Sequence, residues 1–302
     1  MVKKKKNKMS EWPRHRMQIL WAIITNSYFT GFVSGKIYKG NLKNLCVPGM
    51  NCYSCPGARG ACPIGSLQAV IGNYNFQLAY YVAGFIFLIG ALLGRIVCGW
   101  LCPFGLIQDL LYKIPLPKKI KKIKTFKGDK ILRKLKYVLL LVFVIILPMF
   151  LVDVIGQGSP YFCKLICPVG TLEGGIPLVL LNKSMRSAIG FLYLWKNFLL
   201  IMTIVLSILL YRPFCKYICP LGALYSIFNP IAINRYALDH DKCIKCGACS
   251  RVCKMQCDPV KNCNSLECIR CGQCKKACPT GAITSGFFKK QYAKPVEEKV
   301  QV

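Results

Sequence analysis

Histidine is nearly missing from the sequence: His15 and His240 are the only two in 302 residues. Membrane haem b takes histidine on its iron, and neither residue lies in an apolar segment, so a haem-carrying cytochrome is not expected. Structural zinc usually mixes histidine with cysteine, which weakens that reading too. Acidic residues are scarce, 11 against 42 Lys and Arg, for a formal net charge of +31. Such an excess raises nucleic acid as a partner. Here the basic residues sit in tails and alternate loops between long apolar runs, the pattern of the positive-inside rule, and no nucleic acid is expected. No flavin-attachment or dinucleotide motif is visible, so a quinone or flavin would bind by shape alone. The Lys-rich start from Val2 to Lys8 lacks a small-residue cleavage site, so no cleavable signal peptide is expected.

Cysteine is what the chain has instead, 20 residues. Disulfide scaffolds are normally short secreted chains, so sulfur-only ligation in regular spacings favours iron–sulfur clusters. Four segments are apolar enough to span a hydrocarbon core: Met17–Val33, Gln77–Gly94, Tyr137–Ile155 and about Ile189–Tyr211. The first carries Gln18, Thr25, Asn26 and Ser27, so it must pack these against protein or shorten. Lys196 in the fourth is expected to snorkel to the interface. Seven basic residues precede the first span and twelve lie between the second and third, against four and three in the other two loops. Both termini are therefore expected on the cytoplasmic side of the cell membrane.

A Cys-Pro-x-Gly element occurs four times, at Cys62, Cys102, Cys167 and Cys219, and Cys98, Cys163 and Cys215 lie four positions before the last three. Proline suits the first turn of a helix, so each copy reads as thiols at a helix mouth. The order of span, outer motif, span, inner motif then repeats, giving two half-units about a pseudo-two-fold axis along the membrane normal.

The C-terminal segment carries Cys243, Cys246, Cys249 and Cys253, then Cys268, Cys271, Cys274 and Cys278-Pro279, the doubled spacing of two-cluster ferredoxins. Each fourth cysteine serves the other cluster, so the expected sets are Cys243, Cys246, Cys249 and Cys278, and Cys268, Cys271, Cys274 and Cys253. Gly247 and Gly272 supply the tight turns. Lys254 stands where proline would follow Cys253, and Cys257 is an alternative to Cys253.

Cys98-Gly-Trp-Leu-Cys102-Pro-Phe-Gly, Cys215-Lys-Tyr-Ile-Cys219-Pro-Leu-Gly and the run from Cys268 to Gly281 resemble one family. It comprises the four-helix membrane polyferredoxins associated with periplasmic nitrate reductase, with the nitrous oxide reductase regulators and cytochrome oxidase accessory iron–sulfur proteins. The resemblance covers roughly Tyr80 to Ile283 and implies electron transfer at the cytoplasmic membrane between a quinol or cytoplasmic donor and an exported acceptor. The segment from Cys46 to Cys62 lies outside that pattern.

The expected architecture is an α-helical membrane protein of about four transmembrane helices followed by a small α+β two-cluster ferredoxin domain. The expected divisions are a basic tail over 1–16, a transmembrane domain over 17–233, the ferredoxin domain over 234–287 and a polar tail over 288–302. Cys98, Cys102, Cys215 and Cys219 are expected at an inner site, as a cluster, two dithiols or zinc. Cys62, Cys163, Cys167 and Cys55 are expected at an outer site, with Cys46 or Cys52 as alternatives for the fourth ligand. By spacing alone, Cys46, Cys52, Cys55 and Cys62 form one cluster and leave Cys163 and Cys167 as a redox pair, and disulfides are the competing state. That gives two [4Fe-4S] clusters, or up to four. Crossing a core of ~30 Å is long for tunnelling unless the sites are sunk into it or a quinone or flavin intervenes.

Three functional classes follow: an electron carrier, a reductase of a soft metal ion such as Cu(II) or of a thiol, and a redox-sensing assembly protein. Expected partners are membrane lipid, quinol, and donor or acceptor proteins such as a flavodoxin, ferredoxin or flavoprotein. Asp153 is read as an interfacial residue, with a quinol proton as the sharper role. Gln108 and Asp109 are read as solvated or capping.

Overall fold

The computed structural model describes residues 11–72, 79–117, 121–153, 157–187 and 189–288. Residues 1–10 of the basic tail, most of the polar tail, 77–78 of the second expected span and 154–155 of the third lie outside these.

The N-terminal part is helical, and its principal helices are α1 (Trp12–Thr25), α2 (Pro63–Ile71), α3 (Ala79–Leu93), α4 (Pro103–Lys113), α5 (Asp129–Leu139), α6 (Pro168–Leu181), α7 (Phe191–Leu209) and α8 (Pro220–Phe228). The helix of α5 continues through a π-helical stretch, Leu140–Ile146, to Phe150, and α6 contains another, Thr171–Gly175. Among the described residues only α7 is long and apolar enough to cross a membrane by that test, where four spans were expected; α3 and α6 are shorter apolar helices. The first expected span is cut short by its own polar residues. Thr25 Oγ1 donates to the Trp21 carbonyl at 2.9 Å and Asn26 Nδ2 to that of Ala22 at 3.1 Å, closing α1 well before Val33. Gln18, fully buried, turns inward and donates to the Cys102 carbonyl at 3.4 Å.

All four Cys-Pro-x-Gly elements fold alike. The cysteine is the N-cap in extended conformation, with ψ of 131°, 117°, 111° and 113° in chain order, and proline opens the helix. The glycine N–H then points back at the cysteine sulfur: Gly222 N lies 3.3 Å from Cys219 Sγ, and Gly65, Gly105 and Gly170 make the same bond. A thiolate at a helix N-terminus gains from these otherwise orphan donors.

The ferredoxin domain has a two-stranded antiparallel sheet, β1 (Asn234–Leu238) on β2 (Ile283–Phe287), with Asn234 opposite Phe287 and Leu238 opposite Ile283. Its helices α9 (Ala248–Val252) and α10 (Gln273–Ala277) start after Gly247 and Gly272 at φ of +68° and +83°, which only glycine adopts without strain. The domain is fastened to the helical part by buried side chains. Arg270 donates to the carbonyls of Leu93 and Asn229 at 3.0 and 2.5 Å, and Asn229 Nδ2 to those of Ser265 and Cys268 at 2.7 and 3.0 Å. A Cβ on Gly99 would lie 2.3 Å from the Ile269 carbonyl, so the Cys98–Cys102 turn and the Cys268–Cys271 turn touch backbone to backbone.

Candidate metal centres

Cys243, Cys246, Cys249 and Cys278 line one small cavity, with Val260 and Ile283 among its other walls. Cys253, Cys271 and Cys274 form a second group: burial, then Cys271 and Cys253, push the Cys274 thiol up to about 12. Cys268 joins through Cys257, whose own N–H donates to Cys253 Sγ at 3.3 Å. Cys257 therefore sits inside this group. Cys263 donates to the Pro259 carbonyl at 2.9 Å and packs with Cys249 and Cys274.

Cys98, Cys102, Cys215 and Cys219 are buried together. Burial raises Cys219, and Cys215, Cys98 and Cys102 raise it further, so all four thiols are within electrostatic reach of one another. Two arginines cross between the half-units above them. Arg95, three residues before Cys98, donates to the Cys215 carbonyl at 3.2 Å. Arg212, three residues before Cys215, donates to the Cys98 carbonyl at 2.5 Å. Both are fully buried. Arg212 holds the Asp109 carboxylate at 2.7 and 2.5 Å, Arg14 adds a contact at 2.9 Å, and Arg95 pairs with Glu267 at 2.9 Å. Burial alone would raise Asp109, but the Arg212 guanidinium holds it well below the carboxylate range. Gln108 and Asp109 are thus buried and partnered, not solvated: residues more than 100 positions later in the chain cover them.

Cys52, Cys62, Cys163 and Cys167 line a cavity of about 630 Å³ together with Met50, Asn51, Met185 and Lys196. Burial, Cys163, Cys52 and Cys62 all raise Cys167. Cys46 and Cys55 are not on this wall; Cys55 Sγ faces Asn26 Oδ1 at 3.7 Å. The half-unit symmetry selects the same residue. A Cβ on Gly65 would lie 3.9 Å from Cys163 Sγ, and one on the equivalent Gly170 would lie 3.6 Å from Cys52 Sγ. Glu173 accepts the Cys52 N–H at 2.7 Å, and desolvation moves its carboxyl up to about 7. Lys196 does not snorkel outward: it donates to the Cys163 carbonyl at 3.0 Å. Asp153 is exposed, its N–H on the Gln157 carbonyl.

The residues fit iron–sulfur clusters. None of the 20 cysteines is in a disulfide. Buried thiols that raise one another's pKa stay as thiolates only against a cationic centre, which iron supplies. Among the described residues no three His, Cys, Asp or Glu groups close on a single metal ion. Asn51, buried on the outer cavity wall, has both side-chain amide atoms unpartnered.

The inner and outer sets are close. Met50 Sδ lies 3.8 Å from Cys62 Sγ, while the Met50 N–H bonds to Cys102. One residue, carried in by the loop after Cys46, touches a thiol of each set. Sequence reasoning took Lys196 for an interfacial residue and missed Met50, Glu173 and the crossed arginines. Arg-x-x-Cys at Arg95 and Arg212 was the one repeat that could have revealed the last.

A 4Fe-4S binding domain family matches residues 75–124, 136–176 and 194–234, and a second 4Fe-4S binding domain matches residues 264–284. An uncharacterized protein of Methanocaldococcus jannaschii is 30% identical over 67% of this chain and 68% of its own length. The methylamine utilization ferredoxin-type protein MauN of Methylobacillus flagellatus is 29% identical over 57% of this chain and 51% of its own. The ferredoxin-type protein NapH of Escherichia coli is 29% identical over 63% of this chain and 59% of its own. The chain thus spans between about half and two thirds of these curated relatives. No solved structure matches it. Matched by both 4Fe-4S binding domain families and by these relatives, the chain belongs to the polyferredoxin family, ferredoxin-type electron-transfer proteins that bind 4Fe-4S clusters.

Proposed function

We propose that this chain is a membrane-bound electron-transfer subunit with four [4Fe-4S] sites in a row. The sets are Cys243, Cys246, Cys249 and Cys278; Cys253, Cys268, Cys271 and Cys274; Cys98, Cys102, Cys215 and Cys219; and Cys52, Cys62, Cys163 and Cys167. The carrying observation is the shared contact of Met50 with Cys62 and Cys102, which removes the long gap that a ~30 Å core would otherwise impose. The Gly99–Ile269 contact does the same between the ferredoxin domain and the inner set. Bound clusters supply one-electron chemistry; the chain's residues hold them, exclude water from them and fix their order.

Membrane placement is supported by apolar side chains left uncovered on several helices, among them Ile19, Leu20, Ile23 and Ile24 on α1, Phe87 and Leu88 on α3, and Leu194, Phe198, Ile201 and Val205 on α7. Faces of that size on a soluble protein would need a partner, and lipid provides one. With both termini and the ferredoxin domain cytoplasmic, the donor is a cytoplasmic redox protein or a quinol and the acceptor lies at or across the membrane. Iron and acid-labile sulfide per chain test this: about sixteen irons, four per cubane, are expected, and about eight would confine the clusters to the ferredoxin domain.

A second reading rests on the outer cavity. Its volume of about 630 Å³ and its soft lining of Cys52, Met50 and Met185 suit reduction of a metal ion such as Cu(II) there. Cu(II) reduction by dithionite-reduced protein, lost in Met185→Leu, would favour it.

A further inference from the structure

We propose that Gln68 and Gln108 set the reduction potentials of the outer and inner sites, each by an amide N–H held on a ligand sulfur from the opposite half-unit. The inference rests on the ligand sets proposed above. Both glutamines stand six residues after a Cys-Pro cysteine, and both are completely buried. Gln108 Nε2 donates to Cys215 Sγ at 3.1 Å, and Gln68 Nε2 to Cys163 Sγ at 3.3 Å. In each case Oε1 accepts the backbone N–H of the residue before that cysteine, Phe214 at 3.2 Å and Phe162 at 2.9 Å. In each case Nε2 also donates to the carbonyl four residues back, Phe104 at 3.4 Å and Ile64 at 3.2 Å.

These bonds fix the amide orientation. A backbone N–H can only donate, so the oxygen must face it and the NH₂ must face the sulfur. One of its two hydrogens goes to the helix carbonyl, and the other is left for the thiolate. A hydrogen bond to a ligand sulfur favours the more negative, reduced cluster and raises its potential. At the equivalent places in the second half-unit stand Glu173 and Tyr225, which bind the Cys52 N–H and the Pro48 carbonyl instead. Among the described residues one cysteine in each set receives such an amide.

The test is a dithionite titration followed by electron paramagnetic resonance on full-length protein, with the inner signal assigned as the one lost in Cys219→Ser and the outer as the one lost in Cys167→Ser. In Gln108→Met, which keeps the bulk and removes both donors, the inner midpoint is expected to move to more negative potential while the others stay. Gln68→Met should move the outer one alone. Where a methionine variant fails to retain iron, Gln108→Glu and Gln68→Glu, which keep the acceptor for the backbone N–H, are read the same way. Unmoved midpoints at full iron content, or equal shifts of every signal, would overturn the inference and leave the ligand sets standing. Wild-type protein with about eight irons would remove the ligand sets and this inference with them.

Discussion

The inner and outer thiol sets share one turn, Cys-Pro-x-Gly, and differ in almost everything around it. Beside the inner set lie two buried arginines, Arg95 on the Cys215 carbonyl and Arg212 on that of Cys98, paired with Glu267 and Asp109 respectively. The outer set has no arginine on its cavity wall; it has Lys196 on the Cys163 carbonyl and Glu173 on the Cys52 N–H. The inner set is closed into the core, whereas the outer set opens on a cavity of about 630 Å³. The turn therefore supplies ligand geometry, and the neighbours supply charge and access. A guanidinium pair beside a thiol set favours the electron there.

The largest effect that would break this comparison is loss of metal. Cys219→Ser and Cys167→Ser should each remove about four irons per chain without disturbing the other site. Cys52→Ser should match Cys167→Ser, whereas Cys55→Ser should leave the iron content unchanged; the opposite result would return the fourth outer ligand to Cys55. Next comes stability. Asp109→Ala leaves a buried guanidinium uncompensated and should cost about 3–5 kcal/mol in thermal unfolding. Lys196→Met, which deletes one hydrogen bond at the half-buried outer wall, should cost about 0.5–1.5 kcal/mol. Equal costs would mean that the charge contrast has no structural weight.

Backbone contact gives a third, smaller difference. Gly99→Ala forces the Ile269 turn away and should cost about 1–3 kcal/mol, with faster proteolytic cleavage between the two domains. Gly65→Ala meets only a sulfur at 3.9 Å and should be tolerated. The finest test is the order of potentials: the signal lost in Cys219→Ser should titrate above the one lost in Cys167→Ser, and the reverse order would show that the arginines do not govern the inner site.

Much of this was legible in the sequence. The ferredoxin cysteines and their glycines are spaced locally, so Gly247 and Gly272 could be placed in left-handed turns without knowing what surrounds them. The Cys-Pro elements likewise declared themselves as helix mouths. The fourth outer ligand was harder, because the segment between Cys46 and Cys62 breaks the repeat and brings four cysteines where symmetry needs two. Gln108 and Asp109 were misread because a polar pair on a short helix looks solvated until Phe214 and Arg212 arrive from far along the chain. Lys196 was misread for the same reason: hydropathy sees a lysine near a helix end, not the Cys163 carbonyl waiting for it. The four expected spans came from apolar runs, and polar residues such as Thr25 and Asn26 can end a helix inside such a run.

The crossed arginines bear on how the protein is made. Arg212 and Cys98 are 114 positions apart, and Arg95 and Cys215 are 120 apart. While the first half-unit leaves the ribosome, Cys98 and Cys102 have neither their partner thiols nor their clamp. Under the proposed ligand set, metal delivered at that stage would find half a site, and the inner centre would be filled only after synthesis has passed Cys219. Occupancy of that centre would then record that the second half has been translated and folded against the first.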